Sequence, residues 1–183
     1  MVFDLYTLVE AFWLILPAYA ANGLTPFIGL KKKLHPIDGG RRFYDGRPVL
    51  GNGKTWEGLF FACTISVLIS IVQVVAYPYL PFYLSPVPLD IIPMNPLLGF
   101  FLGLGAMVGD ITGSFIKRRL NIPRGGHAPI LDQLDFLLGS LFFVSFFVRL
   151  KQSWIILLVV MTPLLHYSAN FIGYKLGVKK QPW

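Results

Sequence analysis

Residues 109–135, GDITGSFIKRRLNIPRGGHAPILDQLD, leave one apolar run, pass through a basic loop containing Gly and Pro, and enter a second apolar run. Asp110, Asp132 and Asp135 fall inside segments that otherwise have the composition of membrane spans. An ionisable side chain in a span is costly, so such residues usually face a protein or water-filled cavity and serve a function. Three carboxylates beside a Lys and Arg cluster predict a site for a divalent metal ion and phosphate groups.

The rest of the chain has the composition of a lipid-embedded frame. Of its 183 residues 55% are hydrophobic and only 14% are charged, whereas soluble domains carry about 25% charged residues. Five stretches reach the ~20 apolar residues that a helix needs to cross a bilayer. The first has neither the flanks nor the cleavage site of a removable signal peptide. We therefore predict one all-α integral membrane domain over residues 1–183, with five transmembrane helices at about 5–28, 58–76, 96–116, 130–148 and 154–176.

The distribution of Lys and Arg predicts how this domain lies in the membrane. The loop at about 29–57 carries seven of them, including Lys31, Lys32 and Lys33, the loop at about 117–129 carries four, and the C-terminal tail three. The connection after the second predicted span carries no Lys or Arg, and the connection after the fourth carries two. Because short cytoplasmic loops are enriched in Lys and Arg, the N-terminus is expected outside and the C-terminus in the cytoplasm.

Polar residues on three predicted spans fall at a similar depth. Asp110, Ser114 and Lys117 share one helical face, and Asp132 and Asp135 share another. Span five places His166 and Asn170 in its cytoplasmic half. Counting ~1.5 Å per residue puts Asp110, Asp132 and Asn170 about 7–11 Å inside the cytoplasmic boundary, which predicts one polar cavity open to the cytoplasm. Glycines in span three predict that it packs closely in the centre of the bundle.

The first cytoplasmic loop contains Gly51-Asn52-Gly53-Lys54-Thr55 just before a span. Its spacing is not that of a P-loop, because the position of the first P-loop Gly is Pro48. Flexible glycines beside Lys and Thr at a helix start still suit a phosphate group. The alternative is a helix-entry turn in which Thr55 caps the helix and Gly58 follows at its third position.

Clustered carboxylates with oxygen ligands favour Mg²⁺, which commonly binds one or two carboxylates together with substrate phosphates. Residues alone thus predict metal-dependent phosphotransfer between a nucleotide-like polyanion and a membrane lipid. The alternatives are interhelical ion pairs (Asp110 with Lys117, Asp135 with His166), an Mg²⁺ or proton transporter, and a scaffold subunit. The apolar external halves of spans three and five disfavour transport, and a scaffold gives no reason for three acids at one depth.

The motif Ser114, Lys117, Arg118, Gly125-Gly126-His127, Asp132 and Asp135 resembles the signature of CTP-dependent phosphatidate cytidylyltransferases. The order Gly-Gly before His127, Gln133 after Asp132 and the segments 45–47 and 51–58 resemble the archaeal branch, the CDP-archaeol synthases. This resemblance covers essentially the whole chain. A Lys-Asp pair that the wider family has between the two halves of the motif is replaced here by Ile122-Pro123.

The resemblance implies transfer of CMP from CTP to 2,3-bis-O-(geranylgeranyl)-sn-glycerol 1-phosphate, with Mg²⁺ as cofactor and no nucleic-acid partner. The same chemistry on an ester-linked phosphatidate remains open, as does the oligomeric state. Catalysis is expected from Asp110, Asp132, Asp135 and Lys117, and the three acids would hold metal. The expected nucleotide and phosphate ligands are Asn52, Gly53, Lys54, Thr55, Ser114, Lys117, Arg118, Arg124 and His127, with Glu57, His166 and Asn170 as further candidates.

Overall fold

The computed structural model of the chain describes residues 4–30, 34–80, 88–126 and 128–175, and within these it describes all side chains except those of residues 27, 29, 30, 169, 170 and 173. Two predicted site residues are affected. His127 lies outside the described residues, and so does the side chain of Asn170. The predicted basic residues Lys31–Lys33, Lys179 and Lys180 also lie outside them.

The described part of the chain is all-helical. Five α-helices follow one another: α1 (Leu5–Leu24), α2 (Trp56–Ala76), α3 (Pro96–Arg119), α4 (Leu131–Val144) and α5 (Gln152–Lys175). Short 3-10 turns, Thr25–Leu30 and Tyr77–Tyr79, follow α1 and α2. The only strand-like pairing among the described residues is two isolated bridges in the first loop, Pro36 with Thr55 and Arg42 with Pro48.

Side-chain caps fix where the first three helices begin. Asp4 accepts a hydrogen bond from the Thr7 N–H (2.7 Å), and Asn95 accepts one from the Leu98 N–H (2.9 Å). Thr55 accepts one from the Gly58 N–H (3.2 Å), as the helix-entry interpretation of this segment predicts. These contacts satisfy backbone donors that have no partner inside the helix.

Three of the described helices are long and apolar enough to cross a bilayer: Leu5–Leu24, the α2 segment Trp56–Tyr79, and Pro96–Arg119. In α5 the apolar stretch is shorter, Gln152–Ser168. The protein is therefore membrane-embedded, as the composition predicts. The predicted count of five spans goes beyond what these lengths establish.

Two predicted span boundaries are wrong. Helix α1 ends at Leu24 rather than at residue 28, since the chain tightens into a 3-10 turn around Pro26, which lacks an N–H donor. Helix α4 ends at Val144 rather than at 148. Its 14 residues rise only about 21 Å, less than the ~30 Å hydrocarbon layer, so α4 alone does not have the length of a regular span.

Helix α3 lies in the centre of the bundle, as its glycines predict. A Cβ at Gly103 would stand 2.6 Å from the Ser66 Cβ of α2, and one at Gly105 would stand 2.8 Å from the Ser140 Cα of α4. The Ser66 hydroxyl donates to the Gly99 carbonyl (2.6 Å), across the same α2–α3 contact. Lipid tails are as apolar as Leu, so membrane helices associate through such close backbone packing rather than through the hydrophobic effect.

A polar clasp joins three segments at the end of the bundle where α3 begins. Glu10 of α1 is 5% exposed and accepts hydrogen bonds from the Trp154 Nε1 (2.8 Å), the Lys151 Nζ (2.9 Å) and the Asp90 N–H (2.6 Å). Lys151 also pairs with the Asp90 carboxylate (3.2 Å). Partial burial alone would lower the pKa of Lys151, but its hydrogen bonds to Glu10 and Asp90 raise it, so the lysine remains charged at neutral pH.

We expect the substitution Glu10→Gln to destabilise the fold. It removes the charge that holds Lys151 and one acceptor for the buried indole N–H, a loss of about 2 kcal/mol. The melting temperature of the detergent-solubilised protein should fall by about 4–8 °C. Arg149→Gln, which removes an exposed cation from the same connection, is the matched control and should leave the melting temperature within about 1 °C. Equal melting temperatures for both variants would contradict this role of the clasp.

Candidate active site

A cavity of about 410 Å³ opens between the turn after α1, the first loop and α3. Its lining combines apolar and polar side chains. The apolar lining residues include Ile28, Leu34, Ile37, Leu59, Met107 and Ile111. The polar lining residues include Asn22, Asn52, Lys54, Thr55, Asp110 and Arg124. A cavity with such a mixed lining suits a molecule that has both a charged and an apolar part.

Lys54 and Asp110 both line the cavity and form an ion pair. This pair joins the first loop to α3 across 56 positions of sequence. Both side chains are largely shielded, with exposed fractions of 22% and 25%. Neighbouring Asn52 and Gly53 are exposed at the cavity. Arg124 approaches from the second loop, its Nε 3.7 Å from the position that a Cβ would take at Gly53. Both loops therefore present donors and positive charge to the same space.

A second ion pair joins α3 to the start of α4. Lys117 Nζ lies 2.5 Å from Asp132 Oδ1, and the Ala128 N–H donates to Asp132 Oδ2 (3.0 Å). Immediately before α4, Ile130 has φ of 68°, and the Leu131 N–H reaches the Pro129 carbonyl (2.8 Å) in a γ-turn. A positive φ is unfavourable for a β-branched residue, and such strain is found where a surrounding structure enforces it. The turn aims the first residues of α4 at α3.

Asp135 lies one turn further along α4, against the backbone of α3. A Cβ at Gly113 would stand 3.0 Å from the Asp135 Cγ, so the carboxyl group fills the space left by this glycine. Asp135 also lies within electrostatic range of Asp110, Lys54 and Asp132. The three predicted acids thus face one region between α3 and α4. Within the described residues, however, no three His, Cys, Asp or Glu side chains already stand in a metal-binding arrangement.

Asp38 braces the first loop below the cavity. Its Oδ1 accepts from the Gly40 N–H, and its Oδ2 accepts from the N–H groups of Leu50 and Gly51 (all 2.9 Å). Burial alone would raise the pKa of Asp38, but the three backbone donors lower it below its ordinary value. The carboxylate therefore fixes the chain directly ahead of Asn52 and Lys54.

Arg119, the last residue of α3, anchors the tip of the same loop. Its guanidinium packs against the rings of Phe43 (4.6 Å to the centroid) and Phe115 (4.9 Å), which also contact each other edge to face. It pairs with Asp45 (3.2 Å) and donates to the Pro48 carbonyl (2.5 Å). Planar guanidinium groups stack on aromatic faces and bond in a fork, which a lysine cannot reproduce.

We expect Arg119→Ala to release this loop from α3. Backbone amides that are protected in the loop, such as Phe43 and Val49, should exchange with deuterium about five to thirty times faster, because the loss of about one to two kcal/mol of local stability raises the open population by that factor. Arg41→Ala removes an equal charge from an exposed side chain of the same loop and should leave the exchange unchanged. The same acceleration in both variants would show that charge, rather than the stacked contact, fixes the loop.

The remaining predicted residues have other contacts. Ser114 is 5% exposed and Arg118 is 9% exposed. Arg118 donates to the Ile122 carbonyl (2.5 Å), which closes the turn after α3. Glu57 binds the His35 Nδ1 (2.5 Å) and does not line the cavity. His166 stacks on Phe136 with ring centroids 5.4 Å apart.

Two structurally important residues, Asp38 and Glu10, received no role from the sequence, whereas Arg119 belongs to the Lys and Arg cluster that was predicted to bind phosphate groups. Asp38 carries no signal in isolation, since its role depends on loop contacts. Glu10 did carry a sequence signal, because it is an acid inside an apolar run. An ionisable residue in such a run usually serves a function, as was argued for Asp110. The structure assigns Glu10 to the clasp, at the end of the bundle where α3 begins, while Asp110, the acid that lines the cavity, lies in the C-terminal half of α3.

Comparison with known proteins agrees with this architecture. The family described as CarS-like, CDP-archaeol synthase, matches residues 3–183. A CDP-archaeol synthase of Pyrococcus horikoshii is 46% identical over 176 residues, which are 96% of this chain and 97% of the relative. One of Thermococcus gammatolerans is 42% identical over 173 residues, 94% and 95% of the two chains. A solved structure described as an intramembrane enzyme for archaeal membrane lipids biosynthesis is similar with a TM-score of 0.73 and 34% sequence identity. The matched region covers 88% of this chain and 93% of the chain in that structure.

Fold and similarity together define a membrane-embedded enzyme of the nucleotidyltransferase class. The chain belongs to the CDP-archaeol synthase family. The resemblance noted in the sequence is therefore confirmed. The alternative in which Asp110 pairs with Lys117 is not what the structure shows, because Asp110 pairs with Lys54 and Lys117 pairs with Asp132.

Proposed function

We propose that this chain transfers CMP from CTP to 2,3-bis-O-(geranylgeranyl)-sn-glycerol 1-phosphate, releasing pyrophosphate and forming the unsaturated CDP-archaeol. Similarity over nearly the full chain supports the reaction class. The observation on the molecule itself that carries the proposal is the cavity, which is lined by Lys54, Asp110 and Arg124 together with apolar side chains. Such a cavity accepts a phosphate group attached to a lipid.

In this reaction an oxygen of the lipid phosphate attacks the α-phosphorus of CTP. The bond from that phosphorus to the oxygen bridging to the β-phosphorus breaks, and pyrophosphate leaves with its electron pair. Lys54 and Arg124 would bind phosphate oxygens from the first and second loops, and Lys117 would do so from α3. Asn52, Gly53 and Thr55 would add neutral donors at the start of α2. Holding the two phosphates in line is the main task, because phosphoryl chemistry depends on positioning and electrostatic stabilisation.

We assign the metal ligands to Asp110, Asp132 and Asp135. Carboxylate oxygens are the ligands that Mg²⁺ prefers, and one or two of them together with substrate phosphates suffice for it. The donor set therefore fits Mg²⁺. When bound, Mg²⁺ would neutralise triphosphate charge and strengthen pyrophosphate as a leaving group.

The roles of the other predicted ligands are narrower. Ser114 and Arg118 are buried, so we infer that they hold the end of α3 in place while Lys117 reaches the phosphates. In the sequence His127 directly precedes Ala128, whose N–H orients Asp132, and it remains a proposed phosphate ligand. Glu57, His166 and Asn170 remain further candidates by position only.

For the membrane, we propose five spans with the N-terminus outside, the C-terminus in the cytoplasm and the cavity open to the cytoplasm. The Lys and Arg of the two cavity loops support this orientation. In this arrangement α4 and the non-helical residues that follow it would together form one span of the bilayer. CTP would enter from the cytoplasm, and the lipid would approach beside α2 and α3.

The test is an assay of the purified protein in detergent with CTP, Mg²⁺ and the unsaturated archaeal ether-lipid phosphate. We expect a Mg²⁺-dependent, lipid-soluble product that contains cytidine. An ester-linked phosphatidate of equal chain length, supplied in parallel, measures the preference for the ether linkage. More product from the ester lipid would favour CDP-diacylglycerol synthesis and contradict the proposed substrate.

A further inference from the structure

Two of the three acids assigned to the metal already hold a cation of the protein itself. Lys54 pairs with Asp110, and Lys117 pairs with Asp132 at 2.5 Å. All four side chains are at least 72% shielded from solvent. These two contacts, called the lysine–carboxylate pairs below, neutralise the acidic region between α3 and α4. The inference that follows rests on the proposed metal role of Asp110 and Asp132.

Each ammonium group occupies space beside the oxygens that a metal ion would use. Each ammonium contacts one oxygen of its carboxylate and repels a second cation from the same group. Tight metal binding therefore requires the lysine to move away, and a shielded ammonium without a counter-charge is costly. Asp135 cannot serve both lysines, because it is a single carboxylate already close to Asp110 and Asp132. The free enzyme therefore offers the metal a poor site, consistent with the missing three-ligand arrangement among the described residues.

Phosphate groups supply the counter-charge that the lysines need. Lys54 lines the cavity between exposed Gly53 and the capping residue Thr55. A nucleotide in this cavity brings several anionic oxygens within reach of the flexible lysine side chain. Movement of the ammonium from Asp110 to a phosphate would expose the carboxylate to the metal in the same event.

We propose that Lys54 and Lys117 block metal binding in the free enzyme and transfer to the phosphates when the nucleotide arrives. The lysines are thus exchangeable counter-ions as well as phosphate ligands. Divalent metal binds tightly only together with the nucleotide, and a metal ion alone does not load the site.

The test measures Mn²⁺ binding to the purified protein without nucleotide, from the electron paramagnetic resonance signal of free Mn²⁺. Mn²⁺ is used because it accepts the same oxygen ligands as Mg²⁺. We expect weak binding by the unsubstituted protein and at least about tenfold tighter binding by Lys54→Met and by Lys117→Met. A tenfold change corresponds to about 1.4 kcal/mol. Equal affinities for the unsubstituted protein and both variants would overturn the inference.

Two controls separate the exchange from a general effect of charge. Lys54→Arg keeps the positive charge and should bind Mn²⁺ as weakly as the unsubstituted protein. Arg149→Met removes an exposed cation outside the cavity and should also leave Mn²⁺ binding unchanged. Tighter binding by Arg149→Met to the same degree would overturn the inference, because it would show that net charge alone is responsible.

A double variant distinguishes this inference from the proposed metal site. Asp110→Asn in the Lys54→Met background should abolish the gained Mn²⁺ affinity. If the gain persists, Mn²⁺ binds elsewhere, and both the inference and the assignment of Asp110 to the metal fail. If the single variants gain no affinity while the unsubstituted protein catalyses the Mg²⁺-dependent reaction, only the exchange of lysines fails. Melting curves that match the unsubstituted protein confirm that each variant is folded.

Discussion

Replacing Asp132 by Asn should lower turnover of CTP by at least about a hundredfold, the loss typical when one charged contact to a transition state is removed. Asp132 is held by Lys117 (2.5 Å) and the Ala128 N–H (3.0 Å), so its direction is fixed before any ligand binds. Asparagine has nearly the same shape but carries no charge for a metal ion. Asp135→Asn should have a similar effect. The measurement is the steady-state rate of lipid-soluble product with saturating CTP and Mg²⁺.

The matched control for these variants is Asp90→Asn, which removes an exposed carboxylate of the clasp. It should keep at least about half of the turnover. Each variant must also elute as a single species of unchanged size from a gel-filtration column. Retention of half the activity by Asp132→Asn or Asp135→Asn, in folded protein, would contradict their assignment as metal ligands.

Gly109→Ala should impair both folding and catalysis. The added Cβ would overlap the carbonyl oxygen of Asp135 and lie 2.7 Å from its carbonyl carbon. Because these are backbone atoms, α4 must move away from α3 to make room. Overpacking of this kind costs about 1–3 kcal/mol, and displacement of a catalytic group by about 1 Å can cost a hundredfold in rate. Thermal unfolding and the assay with CTP measure the two effects separately.

Gly23→Ala provides the control for that substitution. Gly23 lies in the last turn of α1, and a Cβ there would meet no atom within 4 Å. In a helix, replacing Gly by Ala gains about 0.5–1 kcal/mol, so this variant should be at least as stable as the unsubstituted protein and equally active. If Gly109→Ala behaved in the same way, α3 and α4 would not be in the close contact described.

The sequence predicted the frame of the molecule and the central place of α3 because both depend on composition. Apolar length sets which segments are helices in lipid, and glycines at every fourth position permit contact between backbones. Helix boundaries depend on local geometry instead. A single γ-turn at Ile130 and the early end at Val144 make α4 shorter than its apolar composition suggests.

Of the charged residues that the sequence predicts for the site, Lys54, Asp110 and Arg124 line the cavity, but the sequence did not predict their partners. Asp110 and Lys117 are seven residues apart on α3, about 10 Å along its axis, which is too far for a direct ion pair. Each finds its partner on another segment, at a separation of 56 residues for Asp110. Likewise the contact of Arg119 with Phe43 depends on how the first loop folds back over α3. Such pairings follow from tertiary packing, which no local pattern encodes.

Transfer of the α-phosphorus of CTP to the lipid is the central claim, and two radiolabelled samples of CTP test it directly. One sample carries its label at the α-phosphorus and the other at the γ-phosphorus, each supplied with Mg²⁺ and the archaeal ether-lipid phosphate. We predict that only the α-label enters the lipid-soluble product and that the γ-label is released as pyrophosphate. Label from the γ-phosphorus in the lipid would indicate a kinase. If folded protein yields neither labelled lipid nor labelled pyrophosphate, nucleotidyl transfer at this site is contradicted.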